Sequence, residues 1–273
     1  MIEQLSVEYS IQESCRTLGV SRSGYYQWAK GAQSQRESEE SQLMERIEAV
    51  FVQNQKRYGS PRVTQVLRAA GRCIGKNRVA RLMRQRGLVA RKKRAFRPKT
   101  TVVGNRAEPN RIAGLKPQKP DQIWVSDITY VATAEGWLYL AVILDLFSRR
   151  VVGWKMAENL EADLVKTSLQ NALLLRQPQA GLVFHSDRGS QYMSHQVFKP
   201  LEVLGANRSM SGAGNCYDNA KCEAFFSTLK TECFPMTNCF ASKAEARRTI
   251  FEYIEIYYNN KRLHSALGYQ SPY

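Results

Sequence analysis

Apolar residues recur at helical spacing over the first hundred positions and at strand spacing from position 121 onward, and this change of period divides the chain. Ile11 to Gly19, then Ser21 to Lys30, reads as helix, tight turn, helix, with Ser21 as the cap and Leu18, Val20, Tyr25 and Trp28 spaced to pack the pair together. Glu37 to Gln55 carries Leu43, Ile47, Val50 and Phe51 on one stripe, an amphipathic helix that docks on a neighbour or self-associates. Two turns of stripe are too few for a coiled coil. Ser60-Pro61 starts another helix, Ser60 as cap and Pro61 in the first helical position, running through Val63, Val66 and Leu67 to Gly71. Lys76 to Arg86 follows, ends at Gly87, and turns Val79, Leu82 and Met83 inward.

Beyond a Pro- and Lys-containing stretch at 109–120, three strands are expected at Ile123 to Ala132, Trp137 to Asp145 and Val151 to Met156, joined by turns at Glu135-Gly136 and Ser148-Arg149-Arg150. A helix from Glu161 to Arg176 sets Leu164, Thr167, Ser168, Ala172 and Leu175 near one face. Then come a short buried strand, Leu182 to Ser186, a helix, His195 to Leu204, a last strand, Asn207 to Ser209, and helices Asp218 to Thr231 and Ser242 to Asn259. Three strands, helix, strand, helix, strand, helix is the order of a ribonuclease-H-like α/β fold around a mixed sheet, here preceded by all-α helix-turn-helix modules. The expected domains are a helix-turn-helix at 1–34, a connecting amphipathic helix at 35–55, a basic helix-turn-helix with a basic arm at 56–100, a linker at 101–120 and the α/β core at 121–273.

Charge sharpens this division. The chain carries +16 overall, yet positions 51–120 hold twenty basic residues and a single acidic one, Glu108, while 121–273 balance and 1–50 are slightly acidic. A cationic excess confined to one periodic segment is the footprint of a phosphate-backbone partner. Lys76, Arg78, Arg81 and Arg84 point outward from the second helix of the basic module. Arg91, Lys92, Lys93, Arg94 and Arg97 follow in a stretch without apolar period, suited to an arm along phosphates or in a minor groove, or to a plain linker. The acidic first helix pair fits a DNA reader or an ordinary helical hairpin equally. No stretch approaches an apolar membrane span, the N-terminus lacks a signal pattern, and the six Cys include no C-x-x-C pair. A cytoplasmic protein with free thiols, nucleoid-associated when on DNA, is expected.

Three acids stand out. Asp127 lies mid-strand between largely apolar neighbours on both alternating sets, where a bare carboxylate needs a metal, a cation or several donors. Asp187 follows the carboxyl end of the next core strand. Glu223 sits on the rim of a helical stripe made by Cys222, Phe225, Phe226 and Leu229, with Asn219 one turn before it and Lys230 two turns after on nearly the same line. Two strands and a helix could thus supply a hard, all-oxygen site for Mg²⁺ or Mn²⁺, the kind phosphodiester chemistry uses. Position alone leaves open that these are three unrelated acids.

Seven words in order carry a resemblance that covers nearly the whole chain. They are Tyr58-Gly59-Ser60-Pro61-Arg62; Trp124-x-x-Asp127-Ile128-Thr129-Tyr130; Asp145-Leu146-Phe147-Ser148-Arg149 with Val152-Gly153-Trp154; His185-Ser186-Asp187-x-Gly189-x-Gln191-Tyr192; Asn215-Cys216-Tyr217-Asp218-Asn219-Ala220-x-x-Glu223; Phe225-Phe226-x-Thr228-Leu229-Lys230; and Tyr258-Asn259 with Arg262-x-His264 and Leu267-Gly268-Tyr269. The sequence resembles the OrfB transposases of the third insertion-sequence family, relatives of retroviral integrases. The resemblance implies a DNA transposase that binds terminal inverted repeats and catalyses metal-dependent strand cleavage and strand transfer, with Asp127, Asp187 and Glu223 as the catalytic triad around two Mg²⁺ or Mn²⁺ ions. It puts Lys230 against the end of the mobile DNA. Asp145 and Asp218 read as structural, His185 as a support of the site or a satisfied buried histidine, and His264 as structural or DNA-contacting. All three His lie in the second half, so no zinc module is expected. Implied partners are double-stranded DNA, both element ends and target, further copies of the chain on that DNA, and an upstream OrfA protein or fusion that supplies the zipper this chain lacks. No separate C-terminal DNA-binding domain is expected after Ser271-Pro272. The other readings are a non-catalytic DNA-binding regulator of transposition and a general ribonuclease-H-like nuclease.

Overall fold

A computed structural model describes residues 2, 9–29, 35–91, 108–212 and 219–273. The chain separates into two compact units, Met1–Ala90 and Arg91–Tyr273.

In the first unit α1, Ile11–Thr17, begins with a reciprocal capping box between Ser10 and Glu13, and α2, Arg22–Ala29, follows a tight turn. Their apolar contact is narrower than the spacing suggests: Cys15 and Tyr25 are buried, but Val20 and Trp28 are 46% and 65% exposed. Helices of seven and eight residues offer each other only short faces, and the outlying apolar groups stay in water. The long helix α3, Gln35–Gln53, packs on both α4, Ser60–Ala69, and α5, Lys76–Gln85. It buries Met44, Ile47 and Phe51, so its inner stripe is rotated from the expected one and leaves Leu43 and Val50 on the rim. Gly59, not Ser60, caps α4; Ser60 is already helical, and its carbonyl accepts a 2.7 Å bond from the buried Thr64 hydroxyl. Val79, Leu82 and Met83 of α5 are buried as expected.

The second unit is built on a mixed sheet in the order β3-β2-β1-β4-β5. Its strands are β1, Ile123–Thr133, β2, Gly136–Asp145, β3, Val151–Ala157, β4, Val183–Ser186, and β5, Asn207–Met210; β6, Cys239–Phe240, joins the far end of β1. The meander β1-β2-β3 is antiparallel, and β1, β4 and β5 run parallel. Alternation along β1 splits the core. Val125 and Val131 face a cluster completed by α8, Ala220–Glu232, and α9, Lys243–Phe251, while Trp124 faces one completed by α6, Ala162–Arg176, and α7, His195–Leu204. Helices therefore cover both faces of the sheet, in the α/β arrangement of ribonuclease-H-like folds.

Three details differ from the periodicity. The buried face of α6 is Leu164, Val165, Ser168, Leu169 and Ala172, and Leu175 is 59% exposed. The expected single helix Ser242 to Asn259 is α9 followed by a π-helical stretch, Glu252–Tyr258, which turns Tyr253, Ile254 and Tyr258 inward together. Strand β6 is two residues long and carries no readable period. Among the described residues no helix is long and apolar enough to cross a membrane.

Candidate active site

The parallel pairing of β1 and β4 ends two residues short of two of the three acids. Val125 is opposite His185, and two residues farther along each chain, on the same faces, come Asp127 and Asp187. One oxygen of each carboxylate is held by a backbone amide: Ile128 N–H donates to Asp127 Oδ1 at 2.8 Å and Gly189 N–H to Asp187 Oδ1 at 2.9 Å. A side chain on Gly189 would press a carbon to 3.0 Å from that Asp187 oxygen, so the loop keeps glycine there.

Helix α8 brings the third acid. Its inner stripe is Cys222, Phe225, Phe226 and Leu229, which leaves Glu223 exposed in the first turn and Lys230 half-buried near the last. Burial raises the Asp127 carboxyl to about 8; the charges of Asp187 and Glu223 add to this, and the Ile128 amide and Lys230 oppose it. Burial also raises Asp187, with the Gly189 amide opposing. Lys230 is lowered by burial and pulled back toward its charged form by Asp127. These four groups share one electrostatic environment without forming a closed cage. Among the described residues no three His, Cys, Asp or Glu side chains stand close enough to form a ready metal-ligand group.

The donor chemistry still fits a hard cation. All three acids present oxygen, Asp127 is hard to ionise where it stands, and nearby Asn219, 6% exposed, has a buried Oδ1 with no hydrogen-bond donor among the described residues. An orphaned acceptor of this kind costs about 1–3 kcal/mol unless a donor arrives. Asn219 Nδ2 is engaged: it donates to the Ser126 carbonyl at 3.1 Å.

His185 is fully buried, with its ring nitrogens 2.8 Å from Ser209 Oγ and 3.1 Å from Ser211 Oγ. Its side chain thus contacts β5 and the residue after it, and it reaches Asp187 through the shared backbone. Asp145, fully buried, accepts from Asp121 N–H, Ser148 N–H and Ser148 Oγ, a structural turn at the β2–β3 corner. His264 lies 3.1 Å from the Arg262 guanidinium, which itself forms two 2.8 Å bonds to Glu232. Asp218 lies outside the described residues.

On α5 the side chains of Lys76, Arg78, Arg81 and Arg84 are all exposed, and Arg81 makes a 2.8 Å ion pair with Glu40. Arg91 is exposed and donates to the Glu232 carbonyl at 3.1 Å. Lys92, Lys93, Arg94 and Arg97 lie outside the described residues. A groove of about 600 Å³ lies elsewhere, against edge strand β3 and lined by Trp154, Met156, Leu175 and Phe251. Two participants escaped the sequence reading: Ser126, hidden as a small polar residue in an apolar strand, and Tyr192, which stood in a matched word without a role.

Comparison with known proteins agrees with this architecture. An integrase core domain model matches residues 117–216, a second matches 204–272, and an HTH-like domain model matches 37–96. The chain is 42% identical over 260 residues to the uncharacterized 31 kDa protein of insertion element IS600 from Shigella sonnei, covering 94% of this chain and 95% of that one. It is 40% identical to the transposase InsF of insertion sequence IS3A from Escherichia coli K12, covering 99% and 95%. Among solved structures it is similar to a chain of the simian T-cell lymphotropic virus intasome, at 15% identity and a TM-score of 0.44 over 79% of this chain and 69% of that one. Identity of this order along almost the full length of both relatives, with helix-turn-helix and integrase core matched in sequence order, means that the chain belongs to the IS3 family of insertion-sequence transposases.

Proposed function

We propose that this transposase cuts and joins DNA strands at the terminal inverted repeats of its element, with Asp127, Asp187 and Glu223 as catalytic carboxylates holding two Mg²⁺ or Mn²⁺ ions. The observation that carries the reading is the β1–β4 register, which ends two residues short of Asp127 and Asp187, with the protonation of Asp127 responding to Asp187, Glu223 and Lys230. When bound, such ions supply Lewis acidity on both sides of a scissile phosphodiester. The amides of Ile128 and Gly189 orient one oxygen of each aspartate and leave the other for the cation. Lys230 offers a half-desolvated cation to a DNA phosphate. The reaction needs no protein nucleophile and no energy cofactor.

Domain roles follow the charge. The core at 121–273 performs the chemistry and the module at 56–100 binds DNA through Lys76, Arg78, Arg81, Arg84 and the arm from Arg91 to Arg97, with 101–120 as linker. The helix-turn-helix at 1–34 and the helix at 35–55 belong to the same DNA-binding half. Two ends must be brought together, so the working form is a multimer of this chain on DNA, with an OrfA protein or fusion as its further partner. The test uses the full chain and DNA bearing the ends of its own element. Joined product in Mg²⁺, none in EDTA, and end binding retained in EDTA are expected. Binding without joining in either metal would identify a regulator, and cleavage indifferent to the terminal sequence a general nuclease; either outcome contradicts the proposal.

A further inference from the structure

The three segments that carry the acids meet at one buried serine. Ser126, fully buried, immediately precedes Asp127. Its hydroxyl donates to the Val142 carbonyl at 3.0 Å, which orients the Tyr192 hydroxyl, 2.9 Å away, as donor to Ser126 Oγ. Its carbonyl accepts from Asn219 Nδ2 at 3.1 Å. Tyr192 comes five residues after Asp187, and Asn219 four before Glu223. Both are at least nine-tenths buried.

Backbone pairing does not fix these segments at the site itself. The β1–β4 ladder ends at Val125 opposite His185, and β4 ends at Ser186, before Asp187. Helix α8 shares no ladder with β1; near the acids, the polar contacts it and its cap make with that strand are Asn219 to Ser126 and a long Cys222 Sγ contact to the Val125 carbonyl, 3.9 Å. Burial holds the Tyr192 hydroxyl far above the usual tyrosine value, so it remains a proton donor at any working pH.

We infer that Tyr192 and Asn219 are positioning residues: through Ser126 they set the separation of the three carboxylates and so the affinity of the site for its divalent cations. The inference rests on the proposed triad. Residues behind metal ligands commonly change metal affinity by 10- to 100-fold when removed. The orphaned Asn219 Oδ1 gives the same side chain a second use, as an acceptor for a donor that enters with the cation.

Mn²⁺ binding to the full chain without DNA, read from the spin-resonance signal of the free ion, tests this for Tyr192→Phe, Asn219→Ala, Asp127→Asn and, as a fold-destabilised control, Gly153→Ala. The half-saturation concentration should rise at least about tenfold for Tyr192→Phe and for Asn219→Ala, with DNA binding in EDTA unchanged, and stay at the parent value for Gly153→Ala. A merely structural role raises that midpoint by no more than the inverse of the fraction that stays folded. Parent-like midpoints in both variants, with binding and joining lost in Asp127→Asn, overturn the inference and leave the triad standing. Parent-like binding and joining in Asp127→Asn overturn the triad, and the inference with it.

Discussion

Asp127 keeps its proton to about pH 8 because burial and the charge of Asp187 both penalise its ionised form. The sign of the effect on stability follows from linkage. The unfolded carboxyl ionises near pH 4, so between about pH 4 and 8 the folded state binds one proton more than the unfolded state and stability falls as pH rises, levelling above 8. In EDTA the melting temperature should therefore decline across that window. Asp127→Asn, which cannot ionise, should flatten this part of the decline and melt higher than the parent at pH 8. A variant that melts lower there would show that the carboxylate is stabilised by its surroundings. Under the proposed metal role of Asp127, cation binding should favour higher pH, since the ion must displace the proton. Asp145 shows the contrasting solution: three hydrogen-bond donors and the nearby Arg149 and Arg176 guanidinium groups compensate its burial.

At the scale of elements, much of the core was legible because its strands are long and its turns short. The meander, the helix from His195 to Leu204 and the inner stripe of α8 follow directly from the period. Ser126 and Tyr192 were not legible, since a hydrogen bond spanning 66 positions leaves no local pattern. Nor was the buried Glu232, although its place on the stripe three residues after Leu229 was the signal that an inward acid needs a cation. The π-helical stretch after α9 depends on how its aromatic side chains pack, which periodicity averages away. Gly153 gains its reason only from packing: a Cβ there would lie 2.4 Å from the Ser168 carbonyl and 2.6 Å from the Ala172 side chain. Gly153→Ala should push α6 off β3 and destabilise the chain by about 1–3 kcal/mol in urea denaturation, with joining retained at low temperature. An unchanged urea midpoint would mean that the helix gives way freely.

For the molecule as a whole, the C-terminal segment is tied into the core by charge as well as by packing. Arg262 and Glu232 have side chains 6% and 7% exposed and form two 2.8 Å bonds, and the Tyr253 hydroxyl donates to the same carboxylate at 2.9 Å. Removing one partner leaves a buried charge alone. Arg262→Ala should cost about 3–5 kcal/mol by chemical denaturation, and the paired change Arg262→Met with Glu232→Leu considerably less. Equal losses in the two would place the cost in packing and not in charge. Under the proposed function, the cationic excess before the core addresses phosphates and the neutral core acts on them. Strand joining in Mg²⁺ on DNA with the element's own ends, compared among the parent chain, Asp127→Asn, Asp187→Asn and Glu223→Gln, tests that account most directly. Each substitution should lower joining by at least about a thousandfold, as expected when one member of a catalytic unit is lost, while end binding persists. Joining at the parent rate by any one of the three would contradict it.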